Sequence, residues 1–242
     1  MYHDIRAADG DVYTVAPDRF REHLDAIAAA TGASPSGVDG LTSGTGGWAI
    51  TFDDGGISAL HAAEELARRS WQGHFFIVAD YVGQPGYLDW DGVRAVAAMG
   101  HVIGSHSCSH PDRMASLSWE RLLDEWTRSA AVLAYRLGAP VSTASVPGGL
   151  YSDAVGQAAA TAGYETLFTS LPTQRMGSVD GCTLIGRYAI RRHTPAAEAA
   201  AAAAGQALPW TRQRMTWRLR GAAKKVAGPR YERMRRSLLA RR

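Results

Sequence analysis

The sequence has few of the features that mark a secreted, membrane-spanning or disulfide-rich protein. Its 242 residues include two cysteines, Cys108 and Cys182, too few for a disulfide framework, and reduced thiols are the simplest interpretation. No window comes near 18 consecutive strongly apolar residues, which excludes an ordinary membrane span. No basic segment followed by an apolar run stands at the start, so no signal peptide is visible and a cytoplasmic location is expected.

Charge is distributed unevenly along the chain. The formal net charge is +3, but residues 211–242 hold twelve Arg or Lys against one acid and carry +11, whereas the first 210 residues carry −8. The basic character is therefore a property of the tail. This split predicts an acidic folded body followed by a basic appendage.

The body alternates strand-like and helix-like segments. About seven short apolar runs, among them WAITF, HFFIVADY and VSTASV, are separated by helical patterns of 10 to 20 residues. Such alternation predicts an α/β fold with parallel βαβ units, and periodicity alone leaves a barrel and an open doubly wound sheet as alternatives. Polar clusters follow three of these strands, which is where functional loops lie in α/β folds.

Two of these clusters offer metal ligands. Asp53 and Asp54 follow the strand WAITF, and His106 and His110 lie four residues apart, a spacing that in a helical turn would place both imidazoles on one face. One carboxylate with two imidazoles would form a catalytic type of zinc site, with its fourth position open. Taken singly, a solvated Asp-Gly turn and surface histidines remain the alternatives.

A third cluster completes a recognisable order of motifs. Residues 147–149, Pro-Gly-Gly, follow the strand VSTASV, and glycines there would let backbone N–H groups approach a developing oxyanion, although a plain turn is the alternative. TFDDG, then HSxxH, then PGG, together with the opening YHDI, resembles the polysaccharide deacetylase family, the NodB-homology group of carbohydrate esterases. The resemblance covers roughly residues 1–192.

The resemblance implies a fold and a set of roles. The fold is a distorted (β/α) barrel of about seven parallel strands, and the activity is metal-dependent removal of N-acetyl groups from amino sugars. Asp53 is similar to the catalytic base, and the Pro147-Gly148 turn resembles the loop whose N–H holds the oxyanion. The residues that resemble the ligands of a divalent metal, with zinc favoured, are Asp54, His106 and His110.

Two positions depart from the family pattern. Where the family commonly has an arginine that pairs with the catalytic aspartate, this sequence has Ser145, and Arg187 and Arg191 are the candidates to replace it. The late Leu-x-His motif that supplies a general acid has no clear match, and His193 is the histidine in that region, with an exposed surface role as its alternative. Both departures leave a non-catalytic relative open as an interpretation.

Further side chains have candidate roles beside the motifs. Trp90 and Tyr151 could form an apolar wall against a sugar ring, although Trp90 could equally cap the barrel. His3, His74 and His101 lie beside strand segments, and each could line the barrel, although a hydrogen-bonded structural role is the favoured interpretation.

The tail has its own pattern. Apolar residues recur on one helical face at Met215, Leu219, Ala222 and Val226, and again at Tyr231, Met234 and Leu238. A basic helix with apolar anchors fits an anionic membrane surface, where each basic residue contributes about 1 kcal/mol. Packing on the body or on a partner is an equal alternative, and nucleic-acid binding is disfavoured because no nucleic-acid fold signature accompanies the charge.

These observations combine into one prediction. Residues 1–195 form the deacetylase-like barrel domain, and residues 196–242 form an Ala-rich junction and a basic amphipathic helical tail. The protein hydrolyses acetamido groups of a glycan or glycan precursor in the cytoplasm, peripheral at the inner membrane surface. The alternatives are an amidohydrolase of the same fold acting on a non-sugar amide and a non-catalytic glycan-binding relative.

Overall fold

The computed structural model describes residues 1–7, 10–43 and 47–219. Within these residues the strands are β1 (Asp4–Ile5), β2 (Thr14–Val15), β3 (Thr51–Phe52), β4 (His74–Ile77), β5 (Val102–Ser105), β6 (Thr143–Ser145), β7 (Thr166–Phe168), β8 (Gly177–Val179) and β9 (Cys182–Ile185). The helices are α1 (Pro17–Thr31), α2 (Val38–Thr42), α3 (Ala59–Ala67), α4 (Trp90–Ala98), α5 (Trp119–Leu137), α6 (Asp153–Thr161) and α7 (Ala196–Ala203). Residues 207–219 are also helical and are called the C-terminal helical segment. None of the described helices is long and apolar enough to cross a membrane.

Seven strands form one curled sheet in the order β3-β4-β5-β6-β7-β9-β8, a half-barrel. The α/β class and the distorted barrel predicted from the sequence are confirmed. One strand differs from the expected parallel set, because β8 pairs antiparallel with β9. A tight hairpin explains it, since Asp180 and Gly181 both have positive φ angles, as a two-residue hairpin turn requires.

The N-terminal residues lie at the open seam of the half-barrel. Tyr2 forms a parallel bridge with Phe52, and the backbone N–H of Asp53 donates to the carbonyl of Tyr2 at 3.0 Å. On the other side, the N–H of Ile190 donates to the carbonyl of Met1 at 2.9 Å. The first residues therefore connect β3 to the segment that follows β9, and this brings residues far apart in sequence to one edge.

Apolar packing fixes the two layers around the sheet. The outer face packs Phe52 and Phe75, whose rings stack at 4.6 Å, against the helices, and the interior contains Phe76 and Phe168 at 5.2 Å. The Ala-rich segment forms α7 and packs closely on α1 because small side chains allow close approach of the two helices. The division of the chain at residues 195 and 196 stays a prediction. The tail positions from Ala222 onward lie outside the described residues.

Candidate metal and catalytic site

Three side chains meet at the carboxyl ends of β3 and β5. Nε2 of His106 lies 3.3 Å from Oδ1 of Asp54, and Nε2 of His110 lies 3.5 Å from the same oxygen. One ligand atom from each residue lies within 4.8 Å of the others. Parallel strands end at the same edge of a sheet, so the short turns after β3 and β5 deliver these side chains to one point. The predicted convergence is confirmed.

The local backbone that achieves this convergence is not helical. Residues 106–110 form an irregular loop, so the two imidazoles come together without the helical turn in which their spacing would place them on one face. Ser107 and His110 have φ angles of 65° and 55°, and Asp54 has a φ of 75°. Left-handed conformations are uncommon in residues other than glycine and concentrate at functional sites, where the surrounding structure holds them in place.

The three residues fit a divalent cation. Oδ1 of Asp54 is buried and has no hydrogen-bond partner although two imidazole nitrogens face it. Nδ1 of His106 lies 3.0 Å from the carbonyl of Ser145, so a proton on Nδ1 is bonded there and Nε2 presents its lone pair towards Asp54. An orphan carboxylate oxygen beside imidazole lone pairs is the donor set that zinc prefers, and three ligands leave a coordination position open.

The charges of the site act on its histidines in opposite directions. Burial alone would lower the pKa of His106, but the charges of Asp53 and Asp54 outweigh it and raise that pKa above its ordinary value. Burial and then the charge of His106 lower the pKa of His110. A negative potential therefore surrounds His106, and a bound cation would be stabilised by the same potential.

Asp53 lies next to this group, with Oδ2 at 3.9 Å from Nε2 of His106, and is held in a buried ion pair. Both of its oxygens accept from Arg187, at 2.7 and 2.8 Å, and the hydroxyl of Ser145 donates to Oδ1 at 3.2 Å. Asp53 and Arg187 are 3% and 4% exposed, so the pair is desolvated. Burial would raise the pKa of Asp53, but the charges of Arg187 and His106 hold it well below its usual range. Of the two candidate arginines, Arg187 thus replaces the one expected at Ser145.

His3 is a further residue at the site, and no sequence motif singled it out. It follows Tyr2, which pairs with β3, so it lies beside the two aspartates, and its ring lies 4.5 Å from that of Tyr13. Nδ1 of His3 is buried without a hydrogen-bond partner, so this nitrogen does not have the structural hydrogen bond that was the favoured interpretation. Burial lowers the pKa of His3, and the charges of Asp53 and Asp54 oppose that shift. The sequence signal that could have indicated His3 is the opening YHDI. Its position at the seam depends on the pairing of Tyr2 with Phe52, which the sequence pattern does not predict.

Comparison with known proteins identifies the family. The sequence profile of polysaccharide deacetylases matches residues 41–167, slightly more than half of the chain. The chain belongs to the polysaccharide deacetylase family. A search of curated protein sequences finds no match.

Solved structures of deacetylases share the fold at low sequence identity. The Streptococcus pyogenes deacetylase PplD, solved in complex with acetate, is 20% identical with a TM-score of 0.69, over 81% of this chain and 92% of that chain. A polysaccharide deacetylase from Bacillus cereus is 20% identical with a TM-score of 0.72, over 84% and 67%. A de-N-acetylase from Aggregatibacter actinomycetemcomitans is 17% identical with a TM-score of 0.66, over 80% and 94%. These likenesses establish the fold.

In this family member, the Pro-Gly-Gly turn packs against the loop that carries the histidines. Pro147 is buried, and Gly148 has a φ of 66°. A Cβ on Gly148 would lie 2.7 Å from the carbonyl oxygen of Asp112, two residues after His110. Glycine is therefore required at position 148 both for its backbone conformation and for the close approach. The oxyanion role predicted for its N–H stays a prediction.

The remaining predicted residues lie elsewhere. Trp90 begins α4 and packs on the core under the guanidinium of Arg136, 5.2 Å away, and its alternative role as a cap of the barrel stays a prediction. The hydroxyl of Tyr151 is buried without a partner and lies against α6, where a Cβ on Gly156 would be 2.7 Å from it. His193 is exposed in a turn. The structure brings none of the three into the group formed by Asp54, His106 and His110.

A different aromatic pair lies beside the candidate metal ligands. The rings of Tyr81 and Tyr87 are 4.7 Å apart, and that of Tyr81 is 6.1 Å from His110. Both side chains are half-buried. Burial and then the charge of Asp54 raise the pKa of each hydroxyl. Half-buried aromatic faces next to a reactive group are suited to an apolar sugar face, so this pair, rather than Trp90, is the candidate wall.

Glu125 of α5 holds the loop between the two histidines. Its side chain is buried and accepts from the N–H of Cys108 at 3.1 Å, from the N–H of Ser109 at 2.8 Å and from the hydroxyl of Ser109 at 2.6 Å. The first two bonds use one carboxylate oxygen and the third uses the other. Both oxygens of a carboxylate are needed for this pattern, so Glu125 is a positioning residue for His106 and His110.

Replacing Glu125 with glutamine is expected to weaken zinc binding about 10- to 100-fold, as losses in the outer shell of metal sites do. Glutamine keeps one accepting oxygen for the two backbone N–H groups, but its amide nitrogen cannot accept, so the hydroxyl of Ser109 has to turn round and all three bonds lose the charge of the carboxylate. Competitive titration against a chromophoric chelator measures the affinity, and Glu120→Gln, an exposed position on the same helix, is the matched control. Equal zinc affinity in the Glu125 variant and the native protein would show that the loop holds its shape without the carboxylate.

Proposed function

We propose that this protein is a metal-dependent deacetylase that hydrolyses N-acetyl groups of amino sugars in a glycan or glycan precursor. The observation that carries the proposal is the orphan oxygen of Asp54 facing two imidazoles, next to a second carboxylate that Arg187 keeps ionised. Two relatives with the same fold support it, because PplD was solved with acetate and the Aggregatibacter protein is named a de-N-acetylase.

Asp54, His106 and His110 are the residues that would hold the metal. When bound, a divalent ion supplies Lewis acidity that polarises the acetamide carbonyl and lowers the pKa of water from 15.7 to about 7. His106 presents Nε2 because its Nδ1 is engaged by Ser145. The residues of the chain therefore orient the ligands before the substrate arrives, which is the condition for efficient electrostatic stabilisation.

Asp53 accepts a proton from the attacking water. Its carboxylate is fixed on two sides by Arg187 and on one by Ser145, so it is held in one orientation and remains ionised throughout the neutral range. General base catalysis of this kind contributes about 10²- to 10⁴-fold in rate. The neighbouring Gly148 N–H would stabilise the oxyanion as the carbonyl becomes tetrahedral.

His3 gives a proton to the departing amine. Cleavage of an acetamide leaves an amine that cannot depart as an anion, so an acid must lie on the side of the leaving group. His3 has an imidazole nitrogen without a hydrogen-bond partner in the structure, and the charges of Asp53 and Asp54 favour its protonated form against the burial that lowers its pKa. His193, exposed in its turn, lacks such a setting. In this proposal His3, at the seam of the half-barrel, is the general acid that replaces the missing Leu-x-His motif.

Acetate release tests the proposal directly. Protein stripped of metal with dipicolinate is incubated with N-acetylglucosamine oligomers, then reloaded with one equivalent of zinc. We expect acetate only from the reloaded protein, and we expect Asp53→Asn to retain zinc while losing turnover. The variant's thermal midpoint is recorded alongside, so that loss of turnover is not confused with unfolding.

Two other outcomes would contradict the proposal. A zinc-loaded protein that hydrolyses cyclic imides or formamides but not the oligomers would be an amidohydrolase acting on non-sugar amides. A zinc-loaded protein that binds the oligomers without releasing acetate would be a non-catalytic relative.

A further inference from the structure

The C-terminal helical segment is attached to the body through one face. The ring of Trp210 packs at 5.8 Å from that of Tyr188, and its Nε1 donates to the carbonyl of Ala202 at 3.0 Å. The amide of Gln213 bonds to both the N–H and the carbonyl of Ala189, at 2.7 and 2.8 Å. Trp217, one helical turn further, is half-buried on the same side. These contacts fix how the segment is rotated on the body.

The opposite face is apolar and exposed. Leu208, Met215 and Leu219 are 60%, 61% and 70% exposed, and their spacing of seven and four residues places them in one line along the helix. The sequence pattern predicted Met215 and Leu219 on a common face, and the structure adds Leu208. Trp210 and Gln213 make the contact with the body from the other side of the helix. The exposure of Leu208, Met215 and Leu219 therefore shows that no described residue covers this face.

Positive charge flanks this apolar line. Arg212, Arg214 and Arg218 are exposed in the same segment, and the chain from residue 211 to its end contains a single acid, Glu232, among twelve basic residues. A protein partner would have to match both a narrow apolar line and a charge of +11, whereas nucleic acid offers charge without an apolar layer. Anionic lipid headgroups above acyl chains offer both.

We propose that this face, defined by Leu208, Met215, Leu219 and the flanking arginines, docks the protein on an anionic membrane surface. The three apolar side chains enter the boundary between headgroups and acyl chains, and the arginines contact lipid phosphates. Trp210 and Gln213, on the opposite face of the helix, keep the barrel attached to the membrane-bound segment. The inference does not depend on the proposed activity, since docking is measured without substrate.

Flotation with the full chain tests the docking surface. Vesicles of phosphatidylcholine with 30% phosphatidylglycerol (about one lipid in three anionic) are compared with phosphatidylcholine alone, because the electrostatic part of binding needs anionic lipid. We expect binding to the anionic vesicles, and a loss of about tenfold or more in the partition coefficient when Leu208, Met215 and Leu219 are all changed to serine. The matched control changes Val132 and Tyr135, which are exposed apolar residues of α5, to serine and should float like the native protein.

Each other result overturns the proposal. Failure of the native protein to float, or equal flotation with neutral vesicles, would exclude an anionic membrane as the partner. Equal flotation of the triple serine variant would show that the basic tail alone makes the contact. Tight binding to duplex DNA that the serine changes leave intact, without flotation, would assign the tail to nucleic acid. Because the three positions are exposed, the thermal midpoint should be unchanged, and circular dichroism checks this.

Discussion

Replacing Arg187 with methionine is expected to lower the free energy of unfolding by about 3–5 kcal/mol, the usual cost of removing one partner of a buried ion pair. Asp53 would keep its burial and lose both charge-assisted hydrogen bonds, at 2.7 and 2.8 Å. The hydroxyls of Thr51 and Ser145 would each lose a donor as well, at 3.2 and 2.9 Å. Urea denaturation measures the difference.

The same substitution has an expected signature in the pH dependence. In the native protein the depressed pKa of Asp53 contributes stability that is fully present above the unfolded value of about 3.9 and is lost as the pH falls through the folded value. Without Arg187, only the charges of His106 and His3 oppose burial among the causes of the shift, and the pKa of Asp53 rises. The acid limb of kcat/KM therefore moves to higher pH, and the stability deficit is largest at neutral pH and shrinks on acidification.

Arg191→Met is the matched control, because the sequence offered Arg187 and Arg191 as equal candidates. We expect its acid limb to coincide with that of the native protein. An Arg187 variant with native stability and an unmoved acid limb would mean that Asp53 is held by other groups.

The candidate metal ligands could be predicted because they depend on topology rather than on detail. Parallel strands end at one edge, so polar residues directly after β3 and β5 must approach each other whatever the loop conformation. Residues 106–110 illustrate the limit of this reasoning. The spacing was compatible with a helical turn, but positive φ angles at Ser107 and His110 form the loop, and neither residue is a glycine that would signal them.

The partners of Asp53 could not be fixed from the sequence for a different reason. Arg187 follows β9 and reaches across the seam to the end of β3, and His3 reaches the same place because Tyr2 pairs with Phe52. Both placements depend on how far the half-barrel is from closing, a property of the whole sheet. Local periodicity carries no information on the width of that gap. The sequence therefore narrowed the arginine that contacts Asp53 to two candidates, and it could not single out His3.

Replacing His3 with glutamine is expected to lower deacetylation of N-acetylglucosamine oligomers by about 10²- to 10⁴-fold, the contribution of a general acid. The same variant should hydrolyse 4-nitrophenyl acetate at close to the native rate, because a nitrophenolate departs without a proton. Loss of the first activity with retention of the second, a split between the two activities, would identify His3 as a proton donor. Loss of a residue that only supports the site would lower both activities together. His193→Gln, the candidate acid from the late part of the sequence, is the direct competitor and should leave both activities unchanged. If the His193 variant shows the split and the His3 variant does not, the acid comes from the exposed turn and the seam has only a structural role.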